Sequence, residues 1–340
     1  MRVPVLLAAS LLTVLAACQP SAPPADPTAA ATAEPTATSP AEMSHGEAPV
    51  GTVMVPEEAP DAPPRSTSRR HQVRMTTSHV RHEVTPGVFY DGWTFDSIIP
   101  GPVVRVTVGD TVDFTLVNVS TMPHSMDFHA AEIAPDRAYR NVMPGDSISF
   151  QFVARVPGAF MYHCGTAPVA AHIANGMYGA LIVDPRTPRP AAREFVLVQS
   201  EFYVGAAAGP DSLRGMAWDK VLNAAPDHVV FNGIGSRYAT YPIQVDVGAP
   251  LRVFIVNAGP NRVSAFHVVG AIFDRVYADG FGSPLQGVQT WNVPVGGGAV
   301  FDFRLVEDGL YPFVSHAFAD ATKGAVGIFR AGSATGSMAH

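Results

Sequence analysis

Residues 108–120 read VGDTVDFTLVNVS, and residues 247–259 read VGAPLRVFIVNAG. In the first stretch Val112, Phe114 and Leu116 alternate with other residues after a Gly109-Asp110 turn, and Val104, Val106 and Val108 alternate before it. A period of two marks a β-strand, because successive side chains point to opposite faces. The second stretch repeats the device with Ile243, Val245 and Val247, a Gly248-Ala249-Pro250 turn, and Leu251, Val253 and Ile255. Ile148, Phe150 and Phe152 keep the same period. Two further pairs match: VPGAFMYHC (156–164) with VEDGLYPFVSH (306–316), and GMYGALIVDP (176–185) with KGAVGIFRAG (323–332). A repeat of about 140 residues is too long for a solenoid and means duplicated domains. The expectation is an all-β chain of two tandem β-sandwich domains. Helical periodicity is confined to short stretches near 167–175 and 317–323.

Composition agrees. The 340 residues are 47% hydrophobic but only 15% charged, with 30 Gly and 31 Pro, which suits a turn-rich β protein with a sizeable core. A net charge of −7 without a basic, aromatic-interleaved stripe argues against a nucleic-acid partner. The basic cluster at 65–70 reads as solvated. The expected organisation is a processing segment at 1–17, a flexible tether at 18–70, a first domain at 71–186, a second at 190–332 and a tail at 333–340. The Pro-rich DPRTPRPAA (184–192) separates the domains. Arg2, the apolar run 3–14 and Leu15-Ala16-Ala17-Cys18 have the form of a bacterial lipoprotein signal, with Cys18 as the lipidation site. Residues 19–64 are rich in Ala, Pro, Thr, Ser and Glu, too poor in large apolar groups to offset their ordering entropy.

Only two cysteines occur, Cys18 and Cys164. With the first committed to lipid, the second is a free thiol in an exported protein, and metal ligation gives it a reason. His124, Cys164, His172 and Met177 supply two imidazoles, a thiolate and a thioether, the donor set of a type 1 copper site with a weak axial methionine. The second half has lost this set: Ser315 stands at the place of Cys164 and Val263 at that of His124. It keeps His267 and His316, which points to a second metal. His163 adjoins Cys164, and neighbouring strand residues face opposite ways, so one can serve each of two metals. His129, five residues after His124, extends the second set, and Asp127 lies near its open position.

The segments MPHSMDFHA (122–130), YHCGTAPVAAHIANGMYGALIV (162–183), FHVVGAIFDRVY (266–277) and FVSHAFADATKGAVG (313–327) closely resemble copper-containing nitrite reductases, in particular the outer-membrane lipoprotein kind. The resemblance covers about residues 71–332 and implies two cupredoxin-like Greek-key sandwiches. It implies type 1 copper on His124, Cys164, His172 and Met177, and type 2 copper on His129, His163 and His316, one of each per chain. His316 would come from the neighbouring subunit of a homotrimer. Asp127 and His267 would flank nitrite and handle protons in its one-electron reduction to nitric oxide, the electron passing from type 1 to type 2 copper through Cys164 and His163. Val269 occupies a substrate-pocket position where many members carry isoleucine. The implied electron donor is a cytochrome c or a small cupredoxin. The implied location is exported, periplasmic or cell-surface, on the outer membrane. Competing readings are a two-domain multicopper oxidase, against which stands the lack of any His-x-His pair, and a type 1 copper electron carrier, which has no use for His129, His267 and His316.

Overall fold

The computed structural model describes residues 59–280 and 282–336. The expected signal, Cys18, the tether up to residue 58 and residues 337–340 lie outside them. The first half contains β1 (Arg70–Thr85), β2 (Val88–Phe95), β3 (Gly101–Thr107), β4 (Thr111–Asn118), β5 (Asp127–Phe128), α1 (Pro135–Ala138), β6 (Ser147–Val153), β7 (Gly158–His163), α2 (Val169–Ala174) and β8 (Tyr178–Asp184). The second opens with β9 (Arg193–Phe202), β10 (Leu213–Arg214), α3 (Trp218–Leu222), β11 (His228–Phe231), α4 (Arg237–Thr240), β12 (Ile243–Val245) and β13 (Leu251–Gly259). It closes with β14 (Ser264–Val268), β15 (Arg275–Ala278), β16 (Thr290–Val293), β17 (Gly298–Phe303), β18 (Gly309–Ser315), α5 (Phe318–Thr322) and β19 (Val326–Ala331).

Four sheets result, with orders β10-β2-β1-β4-β6 and β3-β8-β7-β5 in the first half, and β11-β9-β13-β17-β15 and β12-β19-β18-β14-β16 in the second. In the first half β1 runs parallel to β4 and β3 parallel to β8; in the second β9 runs parallel to β13 and β12 to β19. Parallel neighbours cannot be joined by a hairpin, so the chain crosses between sheets in both halves. The expected all-β architecture of two tandem sandwiches is borne out. The short helices α2 and α5 fall where the expected helical stretches lie. One departure is β10, a strand from the second half that adds an edge to the first half's sheet beside β2.

Strand β7 is buried on both faces. Tyr162 and the following Cys164 join the core inside the first sandwich with Phe114, Phe128 and Leu181. Ala159 and Met161 face the other way, into an apolar layer shared with Val196, Val198, Phe254 and Val300 of the second sandwich. Hence 158–162 reads as an unbroken apolar run, as strands covered on both sides do. The backbones come very close here: Ala159 N–H donates to Asp279 O at 2.8 Å, and a Cβ on Gly158 would sit 2.0 Å from that oxygen. Only glycine fits at Gly158.

A chain of charges also joins the halves. Arg105 pairs with Asp184 (2.8 Å) and Glu194 (2.6 Å), and Arg252 pairs with Glu194 (2.8 Å) and Asp302 (2.7 Å). Burial alone would raise Glu194, but hydrogen bonds from Arg252 and Arg105 outweigh it and hold the carboxyl below its usual value. Its contribution to stability is therefore present above the ordinary carboxylate range and is lost as pH falls through the depressed value.

Residues 59–70 depart from the expected tether. Ala62 N–H donates to Glu194 O at 2.8 Å and Val196 N–H to Pro60 O at 2.8 Å, so residues 60–62 lie along β9. Within the supposedly solvated basic cluster, Arg65 pairs with Asp184 and Arg69 with Asp110 (2.9 Å). These anchors are backbone hydrogen bonds and ion pairs, which hydrophobic patterning does not register.

Candidate metal centres

The first cluster forms at one end of the first sandwich. His124 follows β4 and is held by paired backbone hydrogen bonds with Val142 (3.1 and 2.7 Å). Cys164 directly follows β7, His172 lies on α2, and Met177 precedes β8. The loop is stitched by its backbone: Cys164 N–H donates to Met177 O and Met177 N–H to His172 O, both at 3.1 Å. All four residues are buried. The two Nδ1 atoms of His124 and His172 are 3.2 Å apart, and Cys164 Sγ is 3.3 Å from His172 Nδ1 and 3.9 Å from His124 Nδ1.

Burial pushes the Cys164 thiol up, against the pull of the Ser125 N–H that donates to its sulfur. Burial, then the like charges of His172 and His79, push His124 down to about 2; burial and His79 push His172 to about 4. Both imidazoles are thus neutral donors aimed at one point, beside a thiol that ionises only next to a cation. With metal–N bonds near ~2.0 Å and a metal–S bond near ~2.3 Å, a trigonal set has N–N about 3.5 Å and S–N about 3.7 Å. The observed triangle fits a metal. Behind it, Trp93 packs edge-on against His172 with centroids 5.0 Å apart, and His79 stacks on Trp93. Neither residue stands out in the sequence.

The second cluster lies on the opposite face of β7. Phe128, buried against Phe114 and Tyr162, fixes β5, and its neighbours Asp127 and His129 turn away from that core. Asp127 stands opposite His163 in the β5–β7 register. His163 Nδ1–H donates to Cys164 O at 2.9 Å, and His129 Nδ1–H donates to Gly296 O at 2.9 Å. With both Nδ1 protons committed, two Nε2 lone pairs face each other at 3.1 Å, and Asp127 Oδ2 is 3.8 Å from His163 Nε2. Two lone pairs at that distance repel unless a cation or proton sits between them. Burial keeps His163 below its usual value, so a metal suits the pair better than a proton.

His267 and His316 are placed elsewhere in the chain, on the second sandwich. His267 is on β14, where Nδ1–H donates to Gln289 O at 2.6 Å, leaving Nε2 free of that bond. Exposed His316 follows β18, its ring 5.3 Å from that of His267. Val269, just past β14, is 45% exposed. Among the described residues, the metal-competent grouping of Asp127, His129 and His163 does not include His316. At the second sandwich's counterpart of the first cluster, Ser315 is buried and Asp320 on α5 pairs with Arg262 at 3.1 Å.

A family model described as multicopper oxidase matches residues 76–188. The copper-containing nitrite reductase of Neisseria gonorrhoeae is 40% identical over 291 residues, 83% of this chain and 74% of the relative. The chain belongs to the copper-containing nitrite reductases. A second such reductase, from Alcaligenes xylosoxydans xylosoxydans, is 34% identical over 69% of this chain and 78% of its own. Among solved structures, the copper nitrite reductase from Nitrosomonas europaea superposes with a TM-score of 0.72 at 36% identity, covering 78% of this chain and 94% of that one. A multicopper oxidase structure at 24% identity, TM-score 0.69, shares the fold. Membership of this family makes copper the metal of the protein.

Proposed function

We propose that the protein reduces nitrite to nitric oxide and water with one electron and two protons, holding one type 1 and one type 2 copper per chain. The observation that carries this reading is the arrangement around β7: Cys164 faces a buried S/N/N triangle while adjacent His163 faces a partly exposed N/N pair with a carboxylate. His124, Cys164, His172 and Met177 would hold type 1 copper; His129 and His163, with His316 of a neighbouring subunit, would hold type 2. Copper in these sites supplies one-electron redox chemistry and Lewis acidity toward nitrite oxygen. Cys164 and His163, joined by one peptide bond, give the electron a covalent path between the donor sets. Asp127, at a third of full side-chain exposure, would give the first proton from its carboxyl. His267, its Nδ1 committed to Gln289, would present Nε2 to order water and deliver the second. Val269 would lie over the substrate.

The oxidase reading draws on the family model, but the chain has no His-x-His pair for a trinuclear cluster. We further propose a Cys18 lipid anchor on the outer membrane and a cytochrome c or small cupredoxin as donor. Among the described residues no helix is long and apolar enough to cross a membrane. Protein extracted from the membrane fraction should release nitric oxide from nitrite with an artificial reductant and hold about two coppers per chain. About four would mean an oxidase and about one a carrier.

We also propose a homotrimer with shared sites, a reading supported by the absence of His316 from the grouping of Asp127, His129 and His163 among the described residues. A cyclic head-to-tail assembly brings different surfaces of two subunits together. His129→Ala and His316→Ala chains, each inactive alone, should regain part of the activity when dissociated, mixed and reassembled. Verified mixed trimers without any activity would place the site within one chain.

A further inference from the structure

We infer that the Gly296 carbonyl, on the second sandwich, positions His129 and keeps the second donor set open to metal. This rests on the reading of His129 as a type 2 ligand. The two imidazoles of that set obtain their outer partners differently. His163 uses the carbonyl of the residue next to it, so its orientation is built into β7. His129 is exposed, and its Nδ1 partner lies 167 positions away in the turn between β16 and β17.

That turn is rigid. Gly296 N–H donates to Asn257 O at 2.8 Å, Asn257 N–H to Gly297 O at 2.9 Å, and Gly297 N–H to Pro294 O at 3.0 Å. The Asn257 side chain donates to Val293 O at 3.1 Å, closing the base of the turn. Gly296 has φ +75°, and a Cβ there would come within 3.4 Å of His129 Cε1. Glycine thus supplies the left-handed backbone that aims the carbonyl at the ring, while a Cβ would stand at ordinary contact distance from it.

The consequence is chemical. A neutral imidazole carries its proton on either nitrogen, and the hydrogen bond made by one decides the state of the other. With Gly296 O taking the Nδ1 proton, His129 Nε2 is a lone pair. Without that acceptor the proton can move to Nε2, 3.1 Å from His163 Nε2, where it would close the site as a His–His hydrogen bond. The Gly296 carbonyl removes this competing closed state, so the second sandwich acts on a ligand carried by the first sandwich of its own chain.

Gly296→Ala keeps the carbonyl but strains the left-handed backbone that aims it, so in the full chain it should weaken copper binding at the second set by about 10- to 100-fold, the range for a lost outer partner of a metal histidine. This is read by chelator competition and type 2 electron paramagnetic resonance, with the type 1 visible band unchanged. Gly248→Ala is the control: φ is +73° with open space around it, so it imposes the same backbone strain away from both centres. Unchanged type 2 affinity in Gly296→Ala, or equal loss of both coppers, would overturn the inference. A measurement on the wild-type chain covers the case of misfolding. In copper-free protein labelled with 15N-histidine, and with His129→Gln to assign the signals, His129 should carry its proton on Nδ1. The opposite tautomer overturns the proposal. If His129→Gln itself keeps type 2 copper, the underlying ligand assignment fails; if it loses copper while Gly296→Ala does not, only the positioning role fails.

Discussion

Cys164→Ser should erase the visible absorption of the protein while leaving type 2 copper bound, and donor-driven turnover should fall to background. The intense band of a type 1 site is a copper–thiolate transition, and Cys164 is the cysteine of the buried triangle, 3.3 Å from His172 Nδ1. Serine is close in size, so the strand end keeps its packing and His163, facing the other way, keeps its partners. A serine hydroxyl offers a hard oxygen where a soft thiolate stood, and the covalent path through sulfur is gone. Absorption spectra, copper content and type 2 paramagnetic resonance of the purified variant check each part. Retention of an intense visible band would remove Cys164 from the site.

Asp127→Asn should lower turnover by about 10² or more with both coppers retained, the scale of a lost general acid. The substitution keeps the side chain's shape and its place opposite His163 in the β5–β7 register, so packing around Phe128 stays as it is. What disappears is the carboxyl 3.8 Å from His163 Nε2, the group proposed above as first proton donor. Steady-state nitric oxide release with an artificial reductant, alongside metal content, tests this. Near-normal turnover would mean that protons arrive by a route without Asp127.

Much of this was legible because strands and donor sets leave local marks. The alternation of Val112, Phe114 and Leu116 maps onto β4, and the paired segments at 108 and 247 map onto β4 and β13 in equivalent sheets. The opposite facing of His163 and Cys164 follows from strand geometry, and the structure brings His124, Cys164 and His172 together as that spacing suggests. Backbone acceptors were invisible. The carbonyls of Gly296 and Gln289 orient His129 and His267, yet a carbonyl belongs to every residue and a sequence cannot say which one is aimed. The anchoring of residues 59–70 escaped for the same reason, since it depends on main-chain hydrogen bonds and on acids far along the chain. His79 and Trp93 escaped because each, taken alone, is an ordinary strand residue on β1 or β2.

Strand β7 is also a bulkhead. Its inner face is dry, with Cys164 entirely without exposed surface, while beside its far end the neighbouring β5 brings Asp127 and the following His129 to water. The only cysteine of the described residues is therefore hidden from solvent, although it is one peptide bond from His163. The wall proposed to pass charge along its covalent bonds thus keeps the oxidisable sulfur away from bulk water. The glycine-tight seam at Gly158 fixes the other end of that strand against the second sandwich.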